Sequence, residues 1–259
     1  MLVAFASAKG SPGVTTTVNA LGAIWPFDVV VADFDPAGGD LALRHRDAAG
    51  EPLDPERGLL SLAAAARRGV AEANMAEHLQ TADGGLDLLA GVVRPEQLTG
   101  IGSVWPSMAT MLKALPVDVL VDCGRIVPGT PLLPVMHAAD AVVFVVRPGI
   151  EYYAHLRERL SWLAEPLQIG QAGSIPVGIA LVTDSRDTAS ARDLDRLLQH
   201  DGHQVTVVGR IADDPKAAGA LAGRWSRRID RSLLVRSARE LSDSVRTLAQ
   251  GHARIPSRS

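Results

Sequence analysis

The chain alternates short, very apolar runs with longer segments of helical periodicity, and this alternation limits its possible folds more than any other feature. Each run has about four to six residues and leads into polar or turn-forming residues. The runs are Leu2–Ala6, Val29–Ala32, Leu86–Ala90, Val117–Val121, Ala141–Val146, Val177–Val182 and Val205–Val208. Between the second and third runs the pattern predicts a helix from Leu59 to about Arg68 and another near Ala71–Leu79. Apolar strands joined by helices predict an α/β fold, with a doubly wound, mostly parallel sheet flanked by helices in three layers. We expect residues 1–250 to form one domain and residues 251–259 a flexible tail.

Charge and cysteine content exclude several classes of protein. With 259 residues, of which 47% are hydrophobic, the chain can bury one substantial core. The net charge of −3 provides no overall basic field of the kind that favours nucleic acid. A single cysteine, Cys123, excludes an internal disulfide and suits a reducing compartment. The start of the chain lacks a signal-peptide pattern, so the sequence predicts a cytoplasmic location, with peripheral association at the membrane or a cell pole left open.

A glycine-rich turn follows the first apolar run. The turn is KGSPG, residues 9–13, and the pattern predicts that a helix opens at Thr15. A strand, a glycine-rich turn and a helix start form a phosphate cradle, because backbone N–H groups and the positive end of the helix dipole face one anion-sized space. The candidate nucleotide-binding residues here are Lys9, Gly10, Ser11, Pro12, Gly13, Val14, Thr15 and Thr16.

The turn departs from the standard phosphate loop, which places a lysine directly before the Ser or Thr that binds Mg²⁺. Val14 occupies the lysine position, whereas Thr15 keeps the hydroxyl and Lys9 supplies a cation upstream. The segment KGSPGVT resembles the deviant phosphate loop of the ParA/MinD family, KGGxGK[ST]. Losing one charge that stabilises a transition state typically costs on the order of 10²–10³ in rate. Pro12 also lacks an N–H group, so the loop offers one donor fewer.

Three acidic residues follow predicted strands, where an α/β sheet places its ligand chemistry. Asp33 and Asp35 follow the second apolar run, and Asp122 follows the fourth. Any one of them alone would be interpreted as the start of a turn. Together with Lys9 and Thr15 they favour a site for a nucleotide and Mg²⁺.

The same acidic residues extend the resemblance. The segment 33–36 is similar to the family's DxDP switch, and Asp122-Cys123-Gly124 is similar to its second switch. The resemblance implies that Asp35 orients the attacking water and that Asp33 and Asp122, with Thr15, hold Mg²⁺. It also implies that Lys9 acts in catalysis by reaching the partner's phosphates across a nucleotide-dependent homodimer. A solvated surface role for Lys9 stays open.

A late segment resembles the family's base-binding region. Residues 210–215 are similar to the motif that lines the base pocket, and Thr183 stands near the position where the family usually carries an asparagine that recognises adenine. The candidate base-pocket residues are therefore Thr183, Ile211, Ala212 and Asp213. The departure at Thr183 leaves adenine and guanine as alternatives.

Two further segments resemble one branch of the family. Residues 38–43 (GGDLAL) and 86–96 are most similar to the TadZ/CpaE pilus-assembly branch, whose members often lack the second lysine of the loop. The resemblance implies a switch that binds ATP or ADP with Mg²⁺, hydrolyses it slowly if at all, and positions a pilus or secretion apparatus with a protein partner. One alternative is a ParA/MinD-type ATPase for chromosome or septum positioning. Another is a pseudo-ATPase scaffold that never turns over nucleotide.

The carboxyl-terminal region is rich in arginine. Residues 224–258 contain nine arginines against three acidic residues, a pattern that could serve DNA or anionic lipid. The same region has apolar residues at helical spacing: Leu234, Ala238, Leu241, Val245 and Leu248. We favour a helix that packs this stripe on the sheet and leaves a solvated basic face.

Overall fold

The computed structural model describes residues 1–10, 12–69, 74–171, 173–221 and 227–253, and in this part of the chain eight strands form one sheet. The strands are β1 Leu2–Ser7, β2 Val29–Asp33, β3 Gln80–Thr81, β4 Asp87–Leu89, β5 Asp118–Arg125, β6 Ala141–Val146, β7 Val177–Thr183 and β8 Thr206–Ala212. The α-helices are α1 Val14–Ile24, α2 Leu41–Arg44, α3 Leu59–Arg68, α4 Trp105–Lys113, α5 Leu133–Ala138, α6 Ile150–Leu163, α7 Ser190–His200, α8 Pro215–Ala220, α9 Arg227–Asp230 and α10 Leu233–Ala253. Short 3₁₀ helices cover Met75–Glu77, Pro95–Gly100 and Gly102–Val104.

The strand order is β3-β4-β2-β5-β1-β6-β7-β8, and every neighbouring pair is parallel except β3 and β4. This confirms the predicted doubly wound, mostly parallel sheet. β1 lies inside the sheet between β5 and β6, and all six of its residues are buried because helices cover both faces there. β2 to β5 lie on one side of β1 and β6 to β8 on the other, so the chain completes one side of the sheet before it forms the other. The carboxyl end of β1 therefore lies at a topological switch point, where open α/β sheets bind their ligands.

Two apolar cores cover the two faces of the sheet, which gives the three layers that the sequence predicted. The core on one face receives buried side chains from α3, α4, α5, α6 and α7. The opposite core receives them from α1, α2, α8, α9 and α10. Val18 and Leu21 are fully buried on the inner face of α1, so the helix that follows the glycine-rich turn is fixed against the sheet.

The arginine-rich α10 packs its apolar stripe on the sheet, as the sequence favoured. Leu234, Ala238, Leu241 and Val245 are buried. Part of its basic face is neutralised locally, since Arg239 pairs with Asp230 and Arg246 pairs with Asp243. The Arg246 guanidinium also lies 4.6 Å from the centre of the Phe27 ring. The helix continues to Ala253, three residues into the segment expected to be a tail, and residues 254–259 lie outside the described part. Each helix in the described part is too short or too polar to traverse a lipid bilayer.

One helix prediction was wrong over its described part. The sequence suggested a helix near 71–79, of which residues 71–73 lie outside the described part. The remainder is the 3₁₀ turn at Met75–Glu77, which the Asn74 side chain caps by accepting a hydrogen bond from the Ala76 N–H. β3 follows almost at once and pairs with β4 in antiparallel fashion. The Asx turn at Asn74 thus offers the backbone an alternative to a regular helix.

Candidate functional site

The amino terminus of α1 faces the carboxyl edge of the sheet. Gly13, directly before the helix, has a φ of 106°, in the left-handed region that favours glycine. Its carbonyl accepts hydrogen bonds from the Thr17 N–H at 2.9 Å and the Thr17 hydroxyl at 2.8 Å. Among the described residues no side chain caps this terminus, and the first turn contains no acidic residue. The first-turn N–H groups and the positive end of the dipole are therefore free for an anion.

The two departures from the standard loop have structural counterparts. Val14 is 5% exposed and packs in the apolar core under α1, so it contributes packing where the standard loop has a charge. The Lys9 ammonium lies 5.8 Å from the centre of the Tyr152 ring, in a cation–π contact with α6. Gly10 is exposed and Pro12 is buried, while Ser11 lies outside the described residues. The turn is therefore partly exposed at Gly10, and its Lys9 ammonium contacts Tyr152 of α6.

Asp122 has a buried oxygen without a hydrogen-bond partner in the described part of the chain. Its Oδ1 accepts a hydrogen bond from the Gly124 N–H at 2.8 Å, whereas Oδ2 accepts none. Burial and then the negative charge of Asp33 raise the pKa of Asp122 well above its usual range, whereas the nearby Thr15 hydroxyl and the Gly124 N–H lower it. A buried carboxylate with a vacant lone pair beside a hydroxyl is suited to a divalent cation.

Asp33 lies next to Asp122, since the two residues are paired across β2 and β5. Both of its oxygens accept backbone hydrogen bonds, Oδ1 from the Asp35 N–H at 3.2 Å and Oδ2 from the Leu41 N–H at 3.1 Å. Burial raises the pKa of Asp33 in spite of these bonds. A methyl group on Gly39 would lie 2.7 Å from Asp33 Oδ2, so the Gly38-Gly39 turn needs glycine to close over this carboxylate. Asp33 thus organises the turn after β2, while Asp122 offers the available oxygen.

Asp35 lies against the end of β5. The register between β1 and β5 shifts by one residue between Phe5 and Ser7, which makes a bulge in β5. Gly124 in this bulge has a φ of 56°, and a methyl group there would lie 2.2 Å from the Asp35 Cγ. The bulge therefore brings the Asp35 carboxylate beside the strand that carries Asp122. Burial raises the pKa of Asp35, and the Ala37 N–H, at 2.8 Å from Oδ1, opposes this rise.

We expect Gly124→Ala to lower the free energy of unfolding by about 2–4 kcal/mol, because it combines left-handed strain with a clash against Asp35. Gly129→Ala is a matched control. Gly129 also has a positive φ, of 81°, but a methyl group there meets no atom within 4 Å. We expect the control to cost about 1 kcal/mol by urea denaturation. Equal losses in the two variants would show that Asp35 does not press on Gly124.

The residues at this edge fit a magnesium ion bound together with a phosphate group. In the described part of the chain no three His, Cys, Asp or Glu side chains converge as a self-contained metal site. Mg²⁺ is typically held by one or two protein oxygens together with phosphate and water, so a complete protein cage is not needed. The Asp122 Oδ2 atom and the Thr15 hydroxyl supply such oxygens beside the amino terminus of α1.

A cavity of about 270 Å³ lies beside the same helix terminus. Gly13, Thr16 and Thr17 line one side. Val182, Ile211, Ala212, Asp213, Asp214, Pro215, Ala218, Leu234 and Arg147 complete the lining. The structure therefore brings three of the four predicted base-pocket residues to the amino terminus of α1. The fold achieves this because β8 reaches Ala212, four residues beyond the run predicted from the sequence.

Thr183 has a different environment from the one predicted. Its hydroxyl donates a hydrogen bond to the Asp187 Oδ2 atom at 2.7 Å, and its carbonyl accepts one from the Asp213 N–H at 2.9 Å. The side chain lines the neighbouring cleft along β8, of about 500 Å³, rather than the cavity beside Gly13. Thr183 therefore positions the segment that carries Asp213 and does not contact the cavity itself.

Sequence reasoning missed Arg147, which lines the cavity from the carboxyl end of β6. Its guanidinium donates to both oxygens of Asp213, with Nη1 2.6 Å from Oδ2 and Nη2 3.3 Å from Oδ1. The hydrogen bond from Arg147 lowers the pKa of Asp213. The available signal was a basic residue directly after an apolar strand, but the sequence did not reveal that this strand borders β1.

The fold is similar to that of several solved structures, which include a ParA family ATPase, a plasmid partition protein and a MinD protein. A ParA family ATPase from Chlorobium tepidum TLS has a TM-score of 0.71 at 17% identity over 93% of this chain and 98% of its own. A putative plasmid partition protein from Borrelia burgdorferi B31, bound to AMPPNP, has a TM-score of 0.67 at 13% identity over 95% and 98%. The septum site-determining protein MinD from Pyrococcus horikoshii OT3, complexed with Mg-ADP, has a TM-score of 0.66 at 19% identity over 98% and 99%.

The fold is that of the ParA and MinD ATPases. The similarity covers nearly the whole of this chain and of the compared chains, so it includes the sheet and the helices on both of its faces. Comparison with protein-family models and with curated protein sequences finds no match.

Proposed function

We propose that this chain is a nucleotide-binding positioning switch, which binds ATP or ADP with Mg²⁺ through a phosphate loop that lacks its usual lysine. One observation carries the proposal. Among the described residues, a terminus of α1 without a side-chain cap, the Asp122 Oδ2 atom without a hydrogen-bond partner and the cavity at residues 211–213 meet at the switch point of the sheet. The helix terminus suits an anion, the carboxylate oxygen suits a cation, and the cavity suits an apolar ring system. Two compared proteins with this fold were solved with AMPPNP or Mg-ADP.

Each group at the edge has a defined task in this proposal. The first-turn N–H groups of α1 bind phosphate oxygens, and the Thr15 hydroxyl with the Asp122 Oδ2 atom holds the metal. Asp33 keeps the turn after β2 in place through its two backbone hydrogen bonds. Asp35, beside Gly124, orients the attacking water. Mg²⁺, when bound, neutralises charge on the phosphate oxygens.

The turnover expected from this site is slow. Val14 supplies no charge, and such a loss typically costs on the order of 10²–10³ in rate. Lys9 is near the edge and, once released from Tyr152, could act across a homodimer, so we include a nucleotide-dependent dimer in the proposal. The resemblance of residues 38–43 and 86–96 to the TadZ/CpaE branch favours a pilus or secretion apparatus in the cell envelope as the object that is positioned.

A scaffold that binds nucleotide without hydrolysing it is the second candidate. The burial of Val14 in the core favours it, because the cradle is then built for binding rather than for stabilising charge in a transition state. Chromosome or septum positioning is a third assignment, in line with the partition protein and the septum protein among the compared structures. Release of phosphate by the purified chain separates the enzyme from the scaffold.

Calorimetry with ATP, ADP and GTP, each with and without Mg²⁺, tests the proposal. We expect ATP and ADP to bind, Mg²⁺ to strengthen binding, and sedimentation to show a larger species with ATP. Thr15→Val should weaken binding in Mg²⁺, whereas Thr110→Val, an exposed hydroxyl on α4, is the matched control. An absence of heat with all three nucleotides would reject the proposed function.

A further inference from the structure

The cavity beside α1 contains a cation that the loop itself does not supply. Val14 is buried in the core, and the Lys9 ammonium rests on the Tyr152 ring. Arg147 is the basic side chain that lines the cavity in the described part of the chain. It is placed there by strand order, since β6 is the direct neighbour of β1, with Ala6 paired to Phe144. Arg147 therefore leaves β6 next to the turn that follows β1.

The contact between Arg147 and Asp213 has the geometry of anion recognition. A guanidinium presents two parallel donors that fit the two oxygens of a carboxylate or of a phosphate equally well. Asp213 occupies both donors, and its side chain is itself 38% exposed at the mouth of the cavity. An exposed ion pair of this kind contributes little to stability, so it can be exchanged at low cost.

The other acidic residue of the lining is committed elsewhere. The Asp214 carboxylate caps α8 by accepting a hydrogen bond from the Ala217 N–H at 3.1 Å. Among the described residues the Asp213 carboxylate caps no helix, and the backbone there is held by the hydrogen bond from the Asp213 N–H to the Thr183 carbonyl. The Asp213 side chain can therefore rotate away from Arg147 without unfolding the segment that carries it.

We propose that Arg147 is the phosphate-binding cation at the Gly13 side of this cavity, with the base against Ile211 and Ala212, that it takes over charge absent at Val14, and that Asp213 competes with the phosphate for it. This inference rests on the proposed nucleotide-binding function and adds a specificity-determining residue to the same site. The cation reaches the ligand from the β6 side of the cavity and not from the first turn of α1. Two phosphate oxygens then replace the two Asp213 oxygens as acceptors of the Arg147 hydrogen bonds, and the Asp213 carboxylate turns to solvent.

The two halves of the ion pair provide the test, because the competition predicts opposite effects for them. Calorimetry with ADP and Mg²⁺ should show affinity falling about 10- to 100-fold in Arg147→Ala, the range for a lost charge-assisted hydrogen bond. Asp213→Asn should raise the affinity several-fold, since the competing anion is gone. Arg147→Lys should recover only part of the loss, because an ammonium lacks the fork. Arg186→Ala, an exposed arginine after β7, should match the wild type.

A purely structural ion pair gives a different pattern. In that case both variants break the same contact, and Arg147→Ala and Asp213→Asn lower ADP affinity and thermal stability together. That result, or an unchanged affinity in Arg147→Ala, overturns the inference while wild-type binding of ADP upholds the proposed function. If the wild-type protein binds no nucleotide, the proposed function and this inference both fail, and the wild-type titration alone identifies that case.

Discussion

Asp122→Asn is expected to raise the free energy of unfolding of the nucleotide-free protein by about 1–3 kcal/mol and to remove most of the effect of Mg²⁺ on nucleotide affinity. The stabilisation follows from the buried Oδ2 atom, which has no partner in the described part of the chain, and from the neighbouring Asp33 charge. A raised pKa means that ionising this carboxyl near neutral pH costs folding free energy, and asparagine has no such cost. The lost Mg²⁺ effect follows because an amide oxygen is a weaker ligand than a carboxylate.

Urea denaturation and calorimetry with ATP, with and without Mg²⁺, measure the two effects on one preparation. Asp184→Asn is the control, since Asp184 also follows a strand, β7, but is exposed. We expect the control to change the free energy of unfolding by less than about 0.5 kcal/mol. If Asp122→Asn instead destabilises the protein, the carboxylate has a structural role, and the magnesium assignment loses its main support.

Val14→Lys is expected to increase the rate of ATP hydrolysis by about 10²–10³, the range associated with one charged group that stabilises a transition state. Val14 is the first residue of α1, so a longer side chain there can leave the core and extend along the amino terminus of the helix. The substitution also removes a buried valine, and we expect it to cost about 1–2 kcal/mol of stability.

Val14→Met is the matched control for this gain. Methionine is unbranched like lysine, is one atom shorter and carries no charge, so it reproduces the packing change without the cation. Phosphate release should rise in Val14→Lys and stay at the wild-type rate in Val14→Met. A rise in neither variant, with nucleotide still bound, would favour the pseudo-ATPase scaffold, because the charge would then be insufficient to restore turnover.

The sequence predicted the long, buried strands well, because a parallel strand covered on both faces needs an uninterrupted apolar run. β6, for instance, was predicted with the bounds Ala141–Val146 that the structure shows. β3, with two residues, carries too little hydrophobic pattern to be recognised, and its pairing depends on β4. The segment before it was misinterpreted as a helix, since an Asx turn at Asn74 ends the local helical pattern.

The site residues that could be predicted are those that directly follow or end an apolar run in the sequence. Asp33, Asp35 and Asp122 could be named because each directly follows or ends an apolar run. Arg147 could not be assigned, because its nearness to the phosphate loop depends on β6 lying beside β1, and strand order is a property of the whole sheet. Thr183 was predicted as a base-pocket residue, and it lines the cleft along β8 and not the cavity beside Gly13, because the sequence does not show which side of β7 it faces.

The position of β1 in the middle of the sheet has a mechanical consequence. The acidic residues at the edge belong to β2 and β5 and the segment after β2, on one side of β1, whereas Arg147 and Asp213 follow β6 and β8, on the other. A ligand bound by the acidic residues and by Arg147 would connect the two sides of the sheet across β1. Its binding energy would restrain relative twisting of the two halves, and a change at one phosphate could be felt on both flanks of the molecule.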